Sequence, residues 1–299
     1  MAGSTSEILK SLAVNLVIAA SKGAAAIFTG SGAMLAETIH SSADCANQVL
    51  LLVGVKRATL PPDKTHPLGY GRDLYFWSFI VALLLFSGGG VFSIYEGIHK
   101  LQHPEPVDHV EWAIGILLFS LLLEGWATFG NLKEMKKRRG DMPLIAWLRA
   151  TKDSDLVVVF GENSAAVLGL AVALGSLLLA MVTGDNRFDA AGSLAVGLVL
   201  VGVAVFLAVE VKSLLIGEAA DSIITDAVHE SARRPGLTGV LRVIALQQGP
   251  GEVMVAIKVR AESGLSADTL VCAINDLERD LKVRRPEVRW CFVEPDTHD

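Results

Sequence analysis

The sequence predicts an α-helical membrane domain of six transmembrane helices followed by a small cytoplasmic α+β domain. Three observations carry that expectation. Apolar runs fill the first two thirds of the chain, residues alternate in strand fashion in the last third, and charge is scarce. Of 299 residues, 52% are hydrophobic and 19% charged, against about 25% charged in an ordinary soluble domain. The mean hydropathy is +0.47.

A helix that crosses a bilayer needs about 20 mostly apolar residues. Six runs qualify, at roughly 8–29, 32–55, 74–99, 111–133, 155–183 and 188–215. The first two are rich in small residues, which allow close helix packing. In the third, "FSGGGVFS" lets a neighbouring backbone approach or bends the helix. The opening "MAGSTSEILK" is short and mixed in charge, and the apolar run behind it is too long for a signal peptide, so it reads as the start of the first span. The gaps after the second and fourth runs are basic: Lys56, Arg57, Lys64 and Arg72 in one, "KEMKKRRG" with Arg149 and Lys152 in the other. Basic loops stay on the cytoplasmic side, which predicts cytoplasmic N- and C-termini.

Composition changes near residue 216. Residues 1–215 form the six-helix domain of this reading and 216–299 the soluble one. Within the latter, 222–234 looks helical. "GVLRVIALQQ" and "GEVMVAIKVRA" alternate like half-buried strands joined by a Gly-Pro-Gly turn. Residues 266–284 repeat apolar positions at helical spacing, and "EVRWCFVEP" closes as a strand. The order is α-β-β-α-β.

Several function classes are disfavoured. A net charge of -6 gives no basic face for nucleic acid. Cys45, Cys272 and Cys291 form no CxxC pair, so neither a disulfide framework nor a zinc knuckle is expected. There is no Ser-His-Asp context, nucleotide loop or HExxH. No catalytic residue and no cofactor is expected.

One apolar run carries a polar face. Glu37, His40, Asp44, Asn47 and Gln48 follow i, i+3, i+7, i+10, i+11 spacing, which places them within an arc of about 100° on a helix. An ionised group at the bilayer centre costs about 2.5–3.5 kcal/mol on insertion scales. Five polar groups on one face therefore point to a site or a pathway more than to a structural cluster. His40 and Asp44, one turn apart, can point at one small ion, and imidazole with carboxylate suits zinc and similar divalent metals. A partner helix should complete the site. The first run offers only Asn15 and Lys22, and the fourth has Glu124, a proton-carrying or structural group. The fifth has Glu162 and Asn163, and Glu162 is the best partner for His40 and Asp44. Asp153 and Asp155 sit where helix N-terminal carboxylates are common. Asp189 reads as a cap rather than a ligand.

The motifs "GSGAMLAETIHSSADCANQ", "DKTHPLGYGR", the fifth-run stretch around Glu162 and the closing "VEP" together resemble the cation diffusion facilitator family, most of all its zinc transporter nine branch. The resemblance covers nearly the whole chain. It implies a homodimer in the lipid bilayer. Each protomer would have six transmembrane helices and a cytoplasmic metallochaperone-like domain for dimerisation. It would export zinc or a related divalent ion in exchange for protons. Residue by residue, the family's helix-two pair falls on His40 and Asp44. Its helix-five pair, His-x-x-x-Asp, falls on Val158 and Glu162, so one histidine is missing and Asn163, Asn47 or water must fill in. Glu37 is expected to orient His40. Other family metal positions are eroded. His66 matches in the loop, but Tyr70 stands where a partner would be, and Phe292 precedes "VEP" where many members have histidine. The soluble region holds only His229 and His298.

The leading expectation is thus a proton-coupled divalent metal antiporter. The competing one is a non-transporting, metal-responsive scaffold with the same fold, favoured by the missing histidine. The short N-terminus without an Arg-rich presequence suggests a bacterial inner membrane.

Overall fold

The computed structural model describes residues 2–103, 110–151 and 154–298. Among them, helices occupy the six apolar runs. They are α1 (Ala2–Thr29), α2 (Gly32–Ala58), α3 (Asp73–Leu84) continuing through a π-helical turn (Leu85–Val91) into α4 (Phe92–Gln102), α5 (Val110–Arg139), α7 (Ser154–Thr183) and α8 (Arg187–Ile216). The basic connection after α5 also carries a short helix, α6 (Leu144–Ala150), preceded by Pro143. Among the described residues, four segments are long and apolar enough to cross a membrane: Asp73–Gln102, Val110–Lys137, Phe160–Thr183 and Arg187–Ile216. Asn15–Thr29 is a shorter apolar stretch. α2, which carries the polar face, is not among these four.

The chain divides into two compact units, 1–55 with 76–212, and 56–75 with 213–299. In the first unit, α5 packs along α7 and α1. Gly30 closes α1 at φ 66°, its N–H bonded to the Ala26 carbonyl, and so turns the chain directly into α2. The π-helical turn falls on the glycine run. A Cβ on Gly90 would lie 2.5 Å from Val201 Cγ2, and one on Gly97 would lie 2.6 Å from the Leu194 nitrogen. The glycines therefore admit the α8 backbone itself.

The second unit holds α9 (Ser222–Ser231), β1 (Leu237–Gly249), β2 (Glu252–Ala261), α10 (Ala267–Arg284) and β3 (Val288–Pro295), the order read from sequence. The sheet order is β1-β2-β3, with β1 and β2 antiparallel and β2 and β3 parallel. Pro250 and Gly251 turn the hairpin, with Gly251 at φ 68°. Alternate residues of β2, Val253, Val255, Ile257 and Val259, are buried with Leu277 and Leu281 of α10. Asp221 caps α9 through the Ile223 N–H, and Ser266 caps α10 through the Thr269 N–H.

Residues 56–75, read from sequence as a connection, belong to this unit. Asp63 organises them. Its carboxylate accepts from the Thr65 hydroxyl and N–H, the His66 N–H and the Tyr70 hydroxyl. These bonds, the Thr65 and Tyr70 hydroxyls first, hold it well below the usual carboxylate range. The His66 ring lies 4.2 Å from that of Tyr70. Arg57 and Asp73 close the segment at 2.6 Å. The segment also abuts the hairpin: a Cβ on Gly249 would stand 2.7 Å from Gly71 Cα.

Candidate metal centre

The spacing on α2 does what a helix requires of it. Glu37, His40 and Asn47 have no exposed surface, and Asp44 is buried at 9%. Small neighbours on α2, Ala36 and Ser41, are buried with them, which lets adjoining helices close over the face.

His40 and Asp44 stand one turn apart, with Nδ1 and Oδ1 separated by 3.7 Å. That is beyond a hydrogen bond. Both ring nitrogens of His40 and Oδ1 of Asp44 are buried without a hydrogen-bond partner among the described residues. Buried polar atoms are nearly always paired, so three donor atoms without partners, side by side, mark a place where something else binds.

The α7 half of the site reaches α2 by a different residue. Glu162 is buried, and its Oε1 accepts a 2.7 Å hydrogen bond from Asn47 Nδ2. Asn47 Oδ1 has no partner among the described residues. Asn163 is half-buried. Glu124 is partly buried on α5. Among the described residues, no three His, Cys, Asp or Glu side chains converge as a ready metal cage. The structure brings together His40 with Asp44, and Asn47 with Glu162. The Val158 side chain lies outside the described residues.

Among the described residues Glu37 makes no hydrogen bond to His40, the residue it was expected to orient. Its Oε2 pairs with Lys22 Nζ of α1 at 3.2 Å, and the same ammonium donates to Ser41 Oγ at 2.8 Å. A buried carboxylate needs a counter-charge, and α1 supplies it. Sequence reasoning noted Lys22 but gave it no partner; its signal was a lone lysine inside an apolar helix. Asp189 does cap a helix, and that helix is α2. Its carboxylate accepts from Ser31 Oγ at 2.6 Å and from the Gly32 N–H at 2.8 Å.

This geometry can be set beside known proteins. Residues 8–216, most of the chain, match the cation efflux transmembrane domain. The chain belongs to the cation efflux family. It is an integral membrane protein of a transporter family rather than of an enzyme family. It is 30% identical to the mitochondrial proton-coupled zinc antiporter of Xenopus laevis, over 90% of this chain and 55% of that one. The human protein of the same name is 29% identical, over 90% and 54%. Metal tolerance protein C4 of Arabidopsis thaliana is 35% identical, over 64% and 43%. The chain thus spans about half the length of the curated relatives it matches. The family expected from "IHSSAD" and its companion motifs is the family found.

Proposed function

We propose that the chain moves divalent metal ions, zinc foremost, out of the cytoplasm in exchange for protons. The observation that carries this reading is the set of buried donor atoms without partners on α2, inside a largely apolar helical unit. The names of the zinc antiporter relatives support the ion and its exchange partner. His40 and Asp44 supply the first ligands, Glu162 and Asn163 the α7 ligands. Asn47 holds Glu162 until the ion arrives and then gives it up. Glu37 and Glu124 flank the site, Glu37 through Lys22 and Glu124 as a proton-carrying candidate. Metal ligands must be deprotonated, so binding an ion releases protons from the same groups. That competition is the coupling.

In this reading the six helical segments all cross the membrane, both termini are cytoplasmic and the α1–α2 turn lies on the exit side. The chain works as a homodimer joined through the soluble unit, supported by an open sheet face where Ile244 and Phe292 remain about half exposed. The metal is cargo, and no resident cofactor takes part. The bacterial inner membrane expected from the N-terminus finds no support in the animal relatives, which are named as mitochondrial.

The second reading, a scaffold that does not transport, draws on the lack of a three-carboxylate-or-imidazole cage among the described residues. Zinc flux into proteoliposomes separates the two. The wild type carries zinc against a proton gradient, and His40→Ala and Asp44→Ala abolish flux while leaving a folded protein. No flux in the wild type would favour the scaffold; wild-type flux in both variants would remove His40 and Asp44 from the site.

A further inference from the structure

The end of α4 carries a second set of metal donors. His99 lies in its last turn and His103 one turn on, as its C-terminal cap. The His103 N–H bonds to the His99 carbonyl at 3.0 Å, which fixes the spacing. The two rings lie 5.3 Å apart between centroids with planes tilted by 32°, and both side chains are exposed. Tyr95 stacks on His99 at 6.2 Å and limits how that ring can turn. Imidazoles one helical turn apart can direct nitrogens at one point, and imidazole suits zinc, nickel and copper.

We propose that His99 and His103 bind one divalent transition-metal ion at the membrane-exit end of α2. Position is the second part of the argument. Lys100, between the two in sequence, turns inward. It is buried at 8%, and its ammonium donates to the Gly30 carbonyl in the α1–α2 turn. A Cβ on Gly32 would stand 2.8 Å from Lys100 Cδ. The end of α4 is thereby pinned to the first residue of α2. His40 follows Gly32 by eight residues, about 12 Å along the helix axis. The histidine pair therefore stands beside the start of α2, the end of that helix nearer to His40, with the intervening lysine charge tied to a carbonyl. Glu96 is half-buried one turn earlier, and among the described residues no three-residue cage forms here. Two imidazoles, with water in the other positions, make a weak and rapidly exchanging site, suited to an ion being passed on. Binding at the pair stands independently of transport; its use as a station for departing ions rests on the transport reading.

The test uses the full chain in nanodiscs carrying Asp44→Ala, so that the buried site does not contribute. Zinc and nickel are titrated, with the metal bound per chain counted after equilibrium dialysis. One weakly held ion per chain is expected. His99→Ala should weaken it about tenfold or more, and the double variant His99→Ala with His103→Ala should remove it. Copper(II) bound in place of zinc should show coupling to two imidazole nitrogens by electron paramagnetic resonance, lost in the double variant. Unchanged stoichiometry and affinity in the double variant would overturn the proposal, as would a copper spectrum without imidazole nitrogen. If the wild type shows no zinc flux but the pair still binds, the site holds and only its role in transport falls.

Discussion

Lys22 and Glu37 meet with no exposed surface on either side chain. Removing one partner of such a pair strands the other charge, a loss of about 3–5 kcal/mol, whereas removing both is often tolerated. Lys22→Met should therefore lower the melting temperature of the purified protein sharply, and Lys22→Met combined with Glu37→Gln should recover most of it. A double variant no more stable than the single would mean that Lys22 serves something other than Glu37. This pair marks how far the sequence could be read. His40, Asp44 and Asn47 were legible because their alignment is a property of one helix. The partner of Glu37 was not, because it depends on which face of α1 packs against α2, and helical periodicity within one element carries no such information. The same limit applied to Asp189. Its type announced a cap, but the helix it caps begins 157 residues earlier in the chain.

Between elements, the packing of the π-helical turn and α4 against α8 is set by what glycine lacks. Gly90 and Gly97 leave room for Val201 and Leu194, while nothing lies within 4 Å of a Cβ placed on Gly88. Gly90→Leu should cost about 1–3 kcal/mol through overpacking, and Gly88→Ala should gain about 0.4–1 kcal/mol through a less flexible unfolded chain. Equal melting temperatures for the two variants would contradict this account of the seam. The glycine run announced close approach, but the π-helical turn depended on the partner helix and could not be read beforehand. In the second unit, the alternation of β2 was enough to locate its buried face. Asp296, beyond β3, is held down to about 2, first by Lys258 Nζ at 2.9 Å and then by the Thr297 and His298 N–H groups. A carboxylate lowered on folding stabilises the protein above its unfolded pKa, near 3.9, and loses that contribution as pH falls toward the folded value. Asp296→Asn should flatten the decline of melting temperature between about pH 4 and pH 2, where that pKa shift acts. An acid limb identical to that of the wild type would show that the Lys258 contact does not persist in solution.

At the scale of the molecule, the compact units do not follow the order of the chain. A single boundary near 216 is visible as a change of composition, but the assignment of 56–75 to the second unit is not, because it rests on contacts between residues far apart in sequence. Gly71 meets Gly249 backbone to backbone, and the chain before α9 adds to β1 through the Ala220 N–H and the Ala245 carbonyl at 2.9 Å. Gly249→Val should expose the chain after α2, residues 59–75, to limited proteolysis while leaving α2 and its polar face intact; an unchanged cleavage pattern would show that the segment is held by other means. The Gly71–Gly249 approach also constrains how the gene can drift. Neither position has room for even one methyl group, and a larger residue at one cannot be offset by a smaller one at the other, since both are already glycine. Compensation would have to come from the backbone itself, through a change in loop or hairpin length. Recombination that exchanges the C-terminal region with that of a relative should therefore succeed most often when residues 56–75 travel with it, so that two stretches separated in the gene by residues 76–212 are inherited as one piece.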